Sequence, residues 1–376
     1  MKINIASPQI GKEEIKAVTE VLKSGMLAQG PKVAEFEKNF AKFIGTKFAV
    51  ATSSGTTALH TALLAAGIGP GDEVITSSFT FIASSNSILY VGARPVFVDI
   101  DKETYNLDPE KIEKAINKKT KAIMPVHLYG SSCDMTKIMA IARKHKLIII
   151  EDACQAHGAE WPVSTRSSRG GPGKKVGSFG TGIFSLYPTK NMTTGEGGMI
   201  TTNSKEIYEK ANLIRAHGSK IKYYHDILGF NFRLTDIAGA IGIEQLKKLP
   251  KFNKARQKNA AYLNKNLSKI FGIVVPEPVK NTAHVYHQYA IRITPEFGLS
   301  RDQVLAKLTA AGIGTAIFYP LPINEQKLYK DRGYRSDTPV AAKVAKEVLS
   351  LPVHPGLKQS DLAYIVKTFK KMKKLT

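Results

Sequence analysis

Lys146-Leu-Ile-Ile-Ile-Glu-Asp-Ala-Cys-Gln-Ala-His157 is the stretch on which the fold turns. A short apolar run rich in β-branched isoleucine has the length of a strand buried on both faces, and here it stops at two carboxylates. Phe48-Ala-Val-Ala51, Glu73-Val-Ile-Thr76, Pro95-Val-Phe-Val-Asp99 and Ala122-Ile-Met-Pro-Val-His127 share the pattern, and longer helical segments separate them from about residue 31 to 250. Buried strands alternating with helices specify an α/β fold, a mostly parallel sheet flanked by helices on both faces. Ligands of such sheets sit beyond the carboxyl ends of the strands, so residues 53–57, 78–84 and 152–157 become the site candidates.

After the last of these runs, Leu246 through Ile270 reads as a long basic helix that connects to a different texture. Tyr289-Ala-Ile-Arg-Ile293 reads as a strand, Ser300 to Ala311 as a helix opened by a serine cap, and Ser360 onward as a final helix. The expected organisation is a large α/β domain over 1–250, with an N-terminal arm over 1–30, and a small C-terminal α+β domain over 251–376. A chain of 376 residues is long enough for both and for a deep site.

Composition narrows the functional classes. No apolar stretch is long enough to span a bilayer, and residues 1–8 lack the apolar core of a signal peptide, so the expected location is cytoplasmic. Two cysteines, Cys133 and Cys154, cannot build a disulfide framework or a structural zinc site and read as reduced core residues. The net charge of +23 favours anionic partners and brings nucleic acid into view. The lysines, however, fall on apparent helix faces, as in residues 247–258 and 367–374, with no aromatic platform or groove-reading motif, and read as solvated.

Five constellations carry chemistry. In Phe184-Ser-Leu-Tyr-Pro-Thr-Lys-Asn-Met-Thr-Thr-Gly-Glu-Gly-Gly198, Lys190 ends an apolar segment before a glycine-rich turn. A desolvated lysine there is a nucleophile; a solvated one is a surface charge. In Ser53-Ser-Gly-Thr-Thr57 a strand gives way to a helix N-terminus, where Gly55 permits close approach and the Thr56 hydroxyl and Thr57 amide can hold phosphate oxygens; a plain cap is the alternative. Asp152 can keep a heteroaromatic ring nitrogen protonated, with Gln155 reaching a ring substituent, while His157 reads as structural. Asp152, His157 and His127 match no metal-ligand spacing, so no metal is expected. In Thr80-Phe-Ile-Ala-Ser84, Phe81 either stacks on a planar ring or fills the core. Gly229-Phe-Asn-Phe-Arg-Leu-Thr-Asp236 places Asn231 and Arg233 before a small-residue helix, Ile237 to Ile243, as a subunit interface or as a capping loop with Thr235 or Asp236 as cap. A phosphate cradle, a stacking aromatic, a ring-nitrogen carboxylate and an amine nucleophile are together the parts for pyridoxal 5′-phosphate.

With these motifs in order the sequence resembles the sugar aminotransferases of the DegT/StrS family, within the aspartate aminotransferase superfamily of pyridoxal phosphate enzymes. Ser24-Gly-Met-Leu-Ala-Gln-Gly30, Ser54-Gly-Thr-Thr-Ala-Leu59, Gly71-Asp-Glu-Val74, Glu151 to His157, Pro188-Thr-Lys190, Gly195-Glu-Gly-Gly198 and Gly229 to Arg233 carry the resemblance, which runs nearly end to end. It implies that Lys190 forms the Schiff base with the cofactor and then shuttles the proton, that Asp152 pairs with the pyridinium nitrogen, and that Gln155 contacts the ring oxygen. It further implies that Phe81 covers the ring, that Thr56, Thr57 and Ser185 bind the phosphate, and that Asn231 reaches the phosphate of a neighbouring subunit in a homodimer with shared active sites. The implied reaction moves an amino group from an amino acid, commonly glutamate, onto the keto group of a nucleotide-linked sugar.

Related sugar dehydratases carry histidine at the Lys190 position, so lysine favours amino transfer over dehydration. Three departures fall on the substrate side: a long basic stretch over 161–173 with Arg166 and Arg169, candidates for the substrate diphosphate; Thr181 in place of an acidic residue; and Asn324 in place of a frequent histidine. Two alternatives remain at this level, a pyridoxal phosphate-dependent sugar dehydratase or lyase, and a non-enzymatic regulatory or nucleic-acid-binding protein.

Overall fold

The computed structural model describes residues 2–162, 173–221, 223–277, 279 and 281–373. The five expected strands form, each within two or three residues of its sequence run: β1 (Phe48–Thr52), β2 (Glu73–Ser77), β3 (Arg94–Val98), β4 (Thr120–Met124) and β5 (Ile148–Asp152). Two more, Thr181–Ser185 and Gly198–Thr202, complete a seven-stranded sheet in the order β1, 198–202, 181–185, β5, β4, β2, β3. Only the strand 198–202 runs antiparallel to its neighbours; β1 and 181–185 flank it and therefore share the direction of all the others. Six carboxyl ends thus open on one edge, as the mostly parallel reading requires.

Helices cover both faces. On one, α3 (Gly55–Ala65) and α4 (Ala83–Tyr90) bury Leu59, Leu63 and Ile88 against Val50, Val74, Ile150 and Ile183. On the other, α2 (Pro31–Ile44) brings Phe36 and Phe40 against Phe184 and Met199. Burial of this apolar area at roughly 25 cal/mol per Å² is what holds the layers together.

One helix differs from the sequence reading. Residues Asp236–Leu267 form a single 32-residue helix, where the sequence suggested a small-residue helix over 237–243 and a separate basic one from 246. Thr235 caps it by accepting from the Ala238 amide at 3.2 Å. Its glycines let it sit against α2, since a Cβ on Gly242 would meet the Phe36 ring at 2.6 Å. Pro250, inside the helix, removes one backbone donor, and the helix runs on through it with Leu246, Leu249 and Asn253 buried on either side.

The N-terminal arm is docked. Helix α1 (Lys12–Ser24) is tied to the long helix by Lys248, whose Nζ lies 2.7 Å from Glu14 and 2.9 Å from Glu13. Ile3 pairs with Ile313 and joins a C-terminal core around a three-stranded sheet of Ile273–Val274, Tyr289–Ile293 and Val348–Leu351.

Gly198 faces Thr52 on one side and Ser185 on the other, and a Cβ there would stand 2.1 Å from the Ser54 carbonyl oxygen. Backbone cannot yield as a side chain does. Gly198→Ala should therefore lower unfolding stability by about 3 kcal/mol, read as a fall in the urea midpoint; an unchanged midpoint contradicts this packing.

Candidate active site

The edge where the parallel strands end holds a cavity of about 370 Å³, and most of the sequence candidates line it: Gly55, Thr56, Phe81, Asp152, Gln155, Ser185 and Lys190. Each comes from a strand end. Gly55 and Thr56 follow β1, Phe81 follows β2, Asp152 ends β5 and Ser185 ends the strand 181–185. Lys190 sits in the reversal between that strand and 198–202, held by its own amide donating to the Tyr187 carbonyl at 2.9 Å.

Asp152 is buried, and its backbone is fixed on both sides, with its amide donating to Pro125 O and its carbonyl accepting from the His127 amide. One carboxylate oxygen accepts from the Ser84 hydroxyl at 2.7 Å, and the other accepts from the Cys154 amide at 3.2 Å. Ser84 is in turn 3.1 Å from Thr80 Oγ1. Ser84 is therefore the residue that orients Asp152.

Lys190 makes no hydrogen bond or ion pair through Nζ among the described residues. Burial pushes its pKa below the usual lysine value, and the charges of Cys154 and Asp152 act the other way. The Cys154 thiol is itself pushed well above its usual value by burial, so near neutral pH it is uncharged and the opposing field comes from Asp152. An amine that loses its proton easily, beside a fixed carboxylate, is equipped for nucleophilic and proton-transfer work.

Gln155 is buried in the wall. Its carbonyl accepts from the Tyr129 amide at 2.8 Å and its amide nitrogen donates to Tyr319 Oη at 3.1 Å. Phe81 is 54% exposed and stands at the mouth, its ring centroid 6.2 Å from that of Tyr319. An exposed phenylalanine beside an apolar cavity leaves one ring face for a planar ligand. Gly55 is needed for space, because a Cβ would lie 2.8 Å from Ser185 Cβ and 3.2 Å from Cys154 Sγ.

Two candidates lie elsewhere. Thr57 does not line the cavity: its amide donates to Ser54 Oγ at 3.1 Å and its hydroxyl closes the same capping box, so the amide expected to hold phosphate serves the helix cap instead. Asn231 is exposed and outside the cavity of its own chain, bridged by its backbone to Ala216. His157 is buried against Phe40 and Phe184, with its pKa pushed down to about 3 by burial, and does not line the cavity. Cys154 was read as core but lines the cavity. Arg166 and Arg169 lie outside the described residues. No cluster of metal-ligating side chains occurs among the described residues.

Tyr319, His287 and Gln288 also line the cavity and went unselected as site residues. Tyr319 lies in a motif noted only for its variation, and nothing in the local pattern around 287–288 separates a cavity histidine from a core one.

A family model for the DegT/DnrJ/EryC1/StrS aminotransferase family matches residues 8–370. The chain belongs to this family. Three relatives illustrate its neighbourhood. A protein described as a pleiotropic regulatory protein of Geobacillus stearothermophilus is 44% identical over 363 residues, covering 95% of this chain and 94% of its own. GDP-perosamine synthase of Caulobacter vibrioides is 40% identical over 371 residues, covering 97% and 96%. The crystal structure of S. venezuelae DesV in complex with a ketimine intermediate superposes with a TM-score of 0.90 at 36% identity, covering 96% of this chain and 94% of that one.

Aminotransferases of this family are pyridoxal phosphate-dependent, and the residues present fit that cofactor. The cradle at Gly55 and Thr56 excludes even a methyl group, Asp152 is an acceptor at the cavity wall, and Lys190 is a partly desolvated amine without a partner. When bound, the cofactor supplies an electron sink that stabilises a carbanion.

The electrostatics of Lys190 give a test that needs no turnover. In cofactor-free protein Lys190 should be reductively methylated at a lower pH than the surface lysines, because its neutral form is favoured by burial. Removing the Asp152 charge takes away what opposes that effect, so Asp152→Asn should move the labelling midpoint lower still, read by peptide mass spectrometry; a rise would contradict the coupling.

Proposed function

We propose that this family member transfers an amino group from an amino acid, with glutamate as donor, to the keto group of a nucleotide-linked sugar. The observation that carries the proposal is the convergence of Lys190 and Asp152 on one cavity at the carboxyl edge of the sheet. Lysine at this position, rather than histidine, supports amino transfer over dehydration, and a named relative that makes GDP-perosamine supports a nucleotide-linked sugar.

The residues take the following roles. Lys190 would hold the cofactor through Nζ and, when free, would move a proton at Nζ. Asp152 keeps the ring nitrogen protonated and Ser84 holds the carboxylate in place. Gln155 meets the ring oxygen, Phe81 covers the ring, and Thr56 and Ser185 hold the phosphate against Gly55. The chain divides into the large domain over 1–250 and the small one over 251–376, with the long helix crossing between them.

The active unit is a homodimer in this reading. Lys190 is the one cation among the described residues lining the cavity, too few for a diphosphate and an amino-acid carboxylate. Cations and Asn231 then come from beyond it. The antiparallel ribbon of Ser219–Ile221 and Tyr224–His225 and the turn after it expose Ile221, Tyr224 and Leu228, the last at 84%, as an apolar patch suited to a second copy.

Incubating the enzyme with glutamate and a panel of keto-sugar nucleotides should yield amino sugar and keto acid in equal amounts, and Lys190→Ala should lower the rate by about 10³-fold or more. Sugar conversion without keto acid indicates dehydration instead. Leu228→Asp should convert a dimer to monomer in sedimentation velocity and remove activity with it; a wild-type monomer of full activity would sink the shared-site reading.

A further inference from the structure

The long helix carries a row of charge that the active site does not use. Lys247, Lys251, Lys254, Lys258 and Lys265 are all exposed, and at about 100° per residue they fall within an arc of about 60°. At about 1.5 Å per residue the row is about 27 Å long. The opposite side of the helix, with Leu249, Arg256, Leu263 and Leu267, is buried in the protein.

This row is uncompensated. No aspartate or glutamate occurs from residue 245 to 276. Lys247 reaches Glu244 at 2.6 Å, while Lys251, Lys254, Lys258 and Lys265 make no ion pair among the described residues. Lysines three and four apart repel and weaken the helix, and Lys251, Lys254, Lys258 and Lys265 have no acidic partner among the described residues to relieve it. Beyond the helix end the charge continues at Lys269, next to Phe271, which is 72% exposed. The last helix, Gln359–Lys373, packs on the long helix and adds exposed Lys367, Lys370 and Lys371, while Lys373 lies 5.8 Å from the Phe271 ring.

We infer that this face docks the enzyme on an anionic lipid surface. A straight row of like point charges requires only a flat field of negative headgroups, and an exposed aromatic at its end can enter the interface. A nucleic-acid duplex fits less well. Its phosphates wind away from a straight rod, and the row contains no exposed arginine, glutamine or asparagine arranged to read base edges. The docking is peripheral, since no described helix is long and apolar enough to cross a membrane. The active-site cavity draws on none of these residues.

Flotation of the full-length holoenzyme with phosphatidylcholine vesicles, with and without phosphatidylglycerol, tests the inference. Binding is expected only to the anionic vesicles at low salt, and it should fall as salt screens the field. Each lysine contributes roughly fivefold, so Lys251→Glu, Lys254→Glu and Lys258→Glu combined should weaken binding by roughly a hundredfold or more. That variant should keep its cofactor absorbance and transaminase rate, which separates lost docking from lost folding. Phe271→Ala should weaken binding severalfold without changing its salt dependence. Equal partition between the two vesicle types, undiminished binding by the triple variant, or tighter binding to a DNA duplex than to the vesicles would each overturn the inference.

Discussion

The buried Glu151 carboxylate is the constraint from which the active site follows. One of its oxygens accepts from the Phe179 and Gly180 amides, both at 2.8 Å, and the other accepts from the Gly177 amide at 2.8 Å and from His127 Nε2 at 3.2 Å. His127 Nδ1 accepts from the Cys133 amide, so the proton sits on Nε2 and points at the carboxylate. A fully buried carboxylate is tolerated because its oxygens are met in this way. The result is a turn pinned to the end of β5 immediately before the strand 181–185, with Asp152 in register with Ile183. That register sets Asp152 relative to Ser185 and the Lys190 reversal. Glycine at 180 is part of the same fit, since a Cβ there would come 2.3 Å from the Ile149 carbonyl oxygen.

From this fixed edge the electrostatics of the site are determined by depth. Asp152 takes its hydrogen bonds from Ser84 and the Cys154 amide, so its carboxylate stands beside Lys190 without forming an ion pair to it. Lys190 feels that charge and its own desolvation in opposite directions, with desolvation the larger effect. The site thus sets a carboxylate fixed by two hydrogen bonds beside an amine whose neutral form is favoured by burial, an arrangement suited to proton transfer.

Local pattern carried much of this. The isoleucine run before Glu151 and its four counterparts mark the strands, and the strand ends point to Asp152, Gly55 and Phe81. What escaped was set by side-chain orientation and by distant partners. Whether Thr57 faces a ligand or its own cap depends on where Ser54 Oγ points, and the sequence of a cap and of a phosphate loop is the same. Ser84 matters through Asp152, 68 positions away. The long helix continues through Pro250 with Leu249, Asn253 and Arg256 buried against the rest of the protein, a tertiary context that local propensity does not encode.

The two sides of the cavity are built differently, and this bears on how the family varies. The cofactor side consists of strand ends tied into one sheet. The other side is supplied by the segment after residue 316, which reaches over through the Ile323 amide donating to Ser78 O at 2.7 Å and through Tyr329 Oη, which meets Ser85 and Asn86 on α4 at 2.7 and 2.8 Å. Phe318 and Tyr319 enter the cavity from it, whereas Asn324 does not. Asn324 is buried, donates to Ser336 O at 3.2 Å and accepts from Thr338 Oγ1 at 3.3 Å, bracing the segment from within. Asn324 thereby supports the segment that carries Phe318 and Tyr319 into the cavity. Tyr319, His287 and Gln288 face the cavity from this other side, without belonging to the seven-stranded sheet.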